Sequence, residues 1–352
     1  MKKRGMIEVH FNWIFVLIAG AIIFLFFINI VNKQREFSEI KTSGAIITNL
    51  ESILTGAQVS TATVNIVDMP KIDIGFECDR YFIGSIPKQT KGNIIFAPGL
   101  LKGKKLITWA LDWNLPYRVT NFLYLTDPEL RYIIVNDANN VGKRIHDELP
   151  KEMNKEPINP TDNVTNKNNY KVKFIFIGNI NDSVLRDFEK MPDEDVTAIN
   201  IVVSSTPNII PSTGTIEFFQ KNETRWSSKG TTYYLKKEAL FGAIFASDKI
   251  MYDCVMKKAF RKLNLITKIY LKRSTDLSDY YGISNFNCAS AYSKAISSLE
   301  PMITASEERT NDFPNPNTLA NMQAMLEYTN NIGGTQGSAN NLAQLRSCAL
   351  IY

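Results

Sequence analysis

From Phe11 to Val31 the chain reads FNWIFVLIAGAIIFLFFINIV, a run without a single charged residue. As a helix rising 1.5 Å per residue, such a run covers about 30 Å, the thickness of a bilayer's hydrocarbon core. Asn12 and Asn29 lie near its two ends, where headgroups and water satisfy their amides, and Trp13 falls at the interfacial depth that aromatic rings prefer. A cleaved signal peptide has a shorter apolar region, about 7–15 residues, followed by small residues at the cut. Here the run leads instead into polar NKQREFSEIK at 32–41, so it reads as a retained single-pass anchor.

The charges that orient such an anchor are nearly balanced. Lys2, Lys3 and Arg4 precede the span; Lys33, Arg35 and Lys41 follow it. Two other features tip the reading toward an N-terminus inside and the bulk outside. Asn163-Val-Thr165, Asn181-Asp-Ser183 and Asn222-Glu-Thr224 are glycosylation sequons, and the 4 cysteines are an even number, compatible with two disulfides outside the cytosol. The predicted location is the cell membrane, with a short cytoplasmic tail (1–10), a transmembrane helix (11–31) and everything else extracytoplasmic.

The opening Lys2-Lys3-Arg4-Gly5, then Met6-Ile7-Glu8 and an apolar helix, resembles an archaeal-type class III (prepilin-like) signal. The resemblance covers about the first 30 residues. It implies cleavage after Gly5, with Met6 as the new N-terminus and the helix serving as filament core or membrane anchor. Glu8 stands third after that cut, where the pilin pattern has its acid fifth. A plain signal anchor with a basic end is the other reading of the same residues.

The remaining chain is long enough for a sizeable core: 352 residues in all, 44% of them hydrophobic. Its 40 basic residues face 35 acidic ones with no long Lys/Arg block, which argues against a nucleic-acid partner. Beyond the span, Phe37, Ile40, Gly44, Ile47, Leu50 and Leu54 recur at three- and four-residue spacing and predict a stalk helix (32–60) stopping near Gly56. Its stripe packs on the chain's own domain or on a neighbouring chain; packing within the chain is the simpler reading.

Residues 61–130 predict a β-rich, mostly antiparallel subdomain. Short runs at Val64–Val67, Ile72–Phe76, Tyr81–Ile83 and Asn93–Phe96 are punctuated by Pro70, Gly84, Pro87 and Gly92. Lys105–Trp113 follows, with Ile107, Trp109, Leu111 and Trp113 on one face, and then Arg118–Leu125. Residues 131–236 predict an α/β subdomain. Continuous apolar runs at Tyr132–Val135, Lys173–Ile177 and Ile199–Val203 alternate with helical patterns at Val141–Leu149 and Ser183–Met191, which implies parallel pairing. An Asn-rich insertion (151–169) interrupts them, and Thr215–Phe219 and Thr231–Leu235 predict antiparallel edge strands. A helical section (237–310) opens with one long helix, Lys237–Leu263, carrying Asp248 on its apolar face, and continues at Ala289–Leu299. The remainder (311–352) predicts a linker at 312–317 and short helices at Thr318–Tyr328 and Leu342–Leu350. The fold class is mixed, α+β with an α/β part.

Most familiar chemistry is missing from the sequence. Histidine occurs at His10 and His146 only, and no Cys-x-x-Cys, His-x-x-x-His, Gly-x-Ser-x-Gly, P-loop or Gly-x-Gly-x-x-Gly pattern is present, so no metal or cofactor is expected. Ser38-Glu-Ile-Lys41 falls in the stalk, away from any enclosed site. One constellation follows from topology: ligands on open α/β sheets bind beyond the C-terminal ends of parallel strands. Those ends carry Asp137, Asn179 with Asp182, and Ser204 with Ser205, a set able to hold a divalent cation, a sugar or a peptide end. A helical hairpin predicts a Cys254–Cys288 bridge, leaving Cys78 with Cys348. Four cysteines allow three complete pairings, so spacing alone does not choose. The function these features predict is a membrane-anchored cell-surface binding or assembly component of an envelope or pilus-like apparatus. Its expected partners are the lipid bilayer and other surface proteins, with self-association through the transmembrane and stalk helix. The alternative is an anchored extracytoplasmic hydrolase using the strand-end carboxylates.

Overall fold

The computed structural model describes residues 5–352 except 70–71, 85, 91, 163, 203–208, 285, 312–317 and 334. The segments predicted as transmembrane and stalk helices are one helix, α1 (Gly5–Val59), with no break between them. From Val16 to Gln34 it is long and apolar enough to cross a membrane, with mean hydropathy 2.2 and 0% of it buried. Each exposed Leu, Ile or Phe there would gain about 1.5–3 kcal/mol on leaving water, so an apolar surrounding would stabilise this segment. The C-terminal end of α1 behaves differently. Ile47, Leu50, Leu54 and Ala57, one helical face, are buried in the protein's main core. The helix runs past the predicted stop at Gly56 to Val59.

Eight strands follow: β1 (Val64–Asp68), β2 (Ile74–Phe76), β3 (Arg80–Ile83), β4 (Ile86–Gln89), β5 (Ile94–Phe96), β6 (Leu100–Leu101), β7 (Lys105–Asn114) and β8 (Arg118–Thr126). They form two four-stranded sheets, ordered β1-β7-β8-β5 and β4-β3-β2-β6, antiparallel except where β5 runs parallel to β8. The alternation along β7 predicts one wet face, yet Leu106 through Ala110 are all buried. The cause is a second cover: α1 crosses one face of this sheet, and helices from far along the chain cover the other. On that far face Trp109 packs on Phe241 and Phe245, and Trp113 on Phe260.

The third sheet contains β9 (Leu130–Val135), β10 (Lys155–Ile158), β11 (Lys171–Ile177), β12 (Val196–Val202), β13 (Thr213–Asn222) and β14 (Arg225–Leu235). Its order is β10-β9-β11-β12-β13-β14; the first four strands are parallel and the last two antiparallel. Helix α2 (Val141–Glu148) crosses from β9 to β10. Strand β10 lies inside the predicted insertion, and its sequence, Lys-Glu-Pro-Ile, hides it: proline and charge are tolerated because it is an edge strand. The helix predicted at Ser183–Met191 is instead a 3₁₀ segment, Asp182–Phe188, which seals a second core against Phe174, Phe176 and Trp226.

The C-terminal helices are α3 (Lys237–Phe245), α4 (Lys249–Ser284), α5 (Phe286–Asn311), α6 (Thr318–Ile332) and α7 (Ala339–Leu345). The single helix predicted over 237–263 is therefore two. Asp248 sits in the break and caps α4: its Oδ1 accepts from Met251 N at 2.8 Å and its Oδ2 from Ser247 Oγ at 2.8 Å. On the other side of the break, the buried Lys173 of β11 donates from Nζ to the carbonyls of Ala243 and Ala246, satisfying the orphan end of α3. The linker predicted at 312–317 lies outside the described residues.

Both disulfides differ in pairing from the hairpin expectation. The bonds are Cys78–Cys254 and Cys288–Cys348. Helix α4 explains why. It continues from Cys254 to Ser284, roughly 45 Å at 1.5 Å per residue, before the chain turns into α5, so Cys254 and Cys288 sit at opposite ends of the hairpin. Cys254 instead meets the β2–β3 turn, and Cys288 meets the tail beyond α7.

Candidate ligand cleft

Strands β9 and β11 lie side by side and end at Val135 and Ile177, where the chain leaves the sheet in two directions. A cleft of about 430 Å³ opens at these ends. Its polar lining is Asn136, Asp137, Asn159, Asn179 and Asn181; Pro160, Phe176 and Ile180 contribute apolar surface. Gly178, at φ +83°, makes the turn out of β11 in a conformation that favours glycine.

Both carboxylate oxygens of Asp137 are engaged. Its Oδ1 accepts from Gly142 N at 2.8 Å and its Oδ2 from Asn139 N at 2.9 Å. These bonds fix the start of α2, whose adjacent residue Asn140 is left-handed (φ +58°) and offers no side-chain cap. Gly142 lets the helix approach: a Cβ there would lie 2.9 Å from the carbonyl oxygen of Val135. Asp137→Ala is expected to cost about 1–2 kcal/mol of stability, the usual range for a lost capping side chain. Urea unfolding of the two proteins measures it.

The other predicted residues separate. Asn179 lines the cleft. Asp182 is exposed and turned to β14, accepting from Trp226 N at 2.9 Å. Ser204 and Ser205 lie outside the described residues. Asn159 and Asn181 line the cleft without having been singled out for it. Asn159 follows β10, the strand its sequence conceals; Asn181 is visible only as a sequon. Their amides are partly tied down: Asn136 Nδ2 donates to Asn159 Oδ1 at 3.5 Å, and Asn181 Oδ1 accepts from Ser183 N at 2.9 Å.

Chemically, the lining is amides around one carboxylate whose oxygens already hold two backbone N–H groups. Amides both donate and accept, which suits a neutral polar ligand such as a sugar or a peptide backbone. Among the described residues, no lining side chain is a nucleophile or a free general acid. The indoles of Trp109 and Trp113, ring surfaces of the kind that stack on sugars, are buried in the core. Among the described residues, one group of His, Cys, Asp and Glu side chains is close enough for a metal, Cys78 with Asp79 and Cys254, and its two sulfurs are bonded to each other.

No protein-family model, curated protein or solved structure matches this chain.

Proposed function

We propose that this protein is a single-pass, membrane-anchored cell-surface component whose head lies outside the membrane and engages neighbouring proteins or a small polar ligand. The observation that carries the reading is α1: one continuous helix, exposed and apolar from Val16 to Gln34, with Ile47, Leu50, Leu54 and Ala57 near its C-terminal end buried in the head. A helix so embedded transmits position directly from membrane to head. About 18 Å of it separates Gln34 from Ile46, which holds the head clear of the bilayer surface. Two disulfides in the head accord with an oxidising compartment. The amide cleft offers recognition rather than turnover. A hydrolase built on Asp137 and Asp182 draws no support from the geometry, because both carboxylates hold backbone amides and they do not converge.

Protease added to intact cells is expected to digest the head, leaving the N-terminal tail protected. Digestion confined to permeabilised cells would invert the topology and sink the proposal. Intact mass distinguishes the two forms of anchor: a prepilin-like signal loses residues 1–5 and keeps them in a Gly5 variant, whereas a plain anchor retains Met1.

A further inference from the structure

We infer that Asn222 is an N-glycosylation site, and that it is chosen over Asn181 by its place in the fold. The inference rests on the head being extracytoplasmic. Both asparagines belong to sequons, and the sequence treats them alike. The structure does not.

Asn181 is built into the seam between the third sheet and the 3₁₀ segment. Its Oδ1 accepts from Ser183 N at 2.9 Å, its Nδ2 donates to the carbonyl of Pro160 at 3.4 Å, and its own carbonyl accepts from Trp226 Nε1 at 3.0 Å. The residue between asparagine and hydroxyl, Asp182, is bonded to Trp226 N. An enzyme acting on this sequon would have to break the seam first.

Asn222 occupies the tip of the β13–β14 hairpin, where Asn222, Glu223, Thr224 and Arg225 are all exposed. Neither the Asn222 amide nor the Thr224 hydroxyl has a partner among the described residues. The tip is nonetheless held in shape. Glu223 is left-handed (φ +57°), its N–H donates to Asp193 Oδ2 at 3.3 Å, and Lys221 Nζ, almost fully buried, pairs with Asp193. The sequon is thus presented on a fixed, protruding turn with both of its reactive side chains free.

The co-substrate is a lipid-linked oligosaccharide diphosphate. A C–N bond forms between the sugar's anomeric carbon and Asn222 Nδ2. The anomeric C–O bond to phosphate breaks, the electron pair leaves with the lipid diphosphate, and Nδ2 gives up one proton. No oxidant or reductant is involved.

The test uses the full chain purified from its native membranes, with intact mass and mapping of the peptide containing Asn222. The expected result is a sugar mass on Asn222, absent in Asn222→Gln and Thr224→Ala, retained in Thr224→Ser, and unaffected by Asn181→Gln. An unmodified Asn222 peptide from a head that external protease digests on intact cells would overturn the inference while leaving the topology standing. A sugar on Asn181 with Asn222 bare would overturn it as well. A head digested only after permeabilisation would remove both the topology and this inference, and the same protease assay tells the cases apart.

Discussion

Replacing Cys78 and Cys254 together by serine is expected to lower the stability of the head by about 5 kcal/mol. The bond spans 176 residues, and the chain-entropy model assigns a closure of that length about 5 kcal/mol through the unfolded state. The Cys288–Cys348 bond spans 60 residues and is expected to contribute less, about 4 kcal/mol. The larger bond joins the β2–β3 turn to the second turn of α4, two elements far apart in sequence. It is reinforced locally: Lys258 Nζ donates to the carbonyl of Cys78 and pairs with Asp79 at 2.8 Å. Denaturant unfolding without reductant measures the loss. Unchanged midpoints in the Cys78/Cys254 variant would contradict it, as would a Cys254–Cys288 peptide in non-reducing mapping.

The pairing also shows where sequence reading stops. Periodicity reports the surroundings of a residue within about one turn or one strand, so it finds elements whose whole length shares one environment. The apolar run of α1, the strand pairs at Lys105–Trp113 and Arg118–Leu125, and the buried strands at Tyr132, Phe174 and Ile199 are of this kind. The break at Asp248 is not. Apolar residues line both α3 and α4, so the stripe continues across the gap, while the residue that ends α3, Lys173, lies on a strand far upstream. Strand β10 escaped for the opposite reason: at a sheet edge, beside β9 alone, it needs no apolar pattern.

The cleft follows the same division. Asp137 and Asn179 are legible because they follow recognisable parallel strands. Asn159 depends on β10 and was hidden with it. Asp182 looks similar to Asp137 on paper, each an acid just past a strand, but Trp226 N claims it from a hairpin more than forty residues away. Which acid turns inward is decided by a partner that no local pattern encodes.

Lys173 supplies the second large effect: stability should rise with pH above neutrality, and Lys173→Met should remove most of that rise. The ammonium sits in the core beneath α3, and burial pulls its pKa down from 10.5 to about 7, against the opposing pull of Asp248. The Phe218 ring lies 5.6 Å from Nζ, and the carbonyls of Ala243 and Ala246 accept its hydrogen bonds. Between about pH 7 and 10.5 the unfolded chain holds a proton on this amine that the folded protein lacks. Raising the pH through that window therefore favours folding, at about 1.4 kcal/mol per pH unit. Below pH 7 the folded protein is charged here too, and the dependence fades. From pH 7 to 9.5 the wild type is expected to gain about 3 kcal/mol over the variant. At the upper end the variant should also be the less stable protein, because methionine leaves two helix-end carbonyls without a donor. Urea unfolding of both proteins across this range provides the comparison, and other titrating groups cancel in the difference. Parallel curves would mean that the amine keeps an ordinary pKa in the fold, and that the end of α3 is held by an ammonium with access to water.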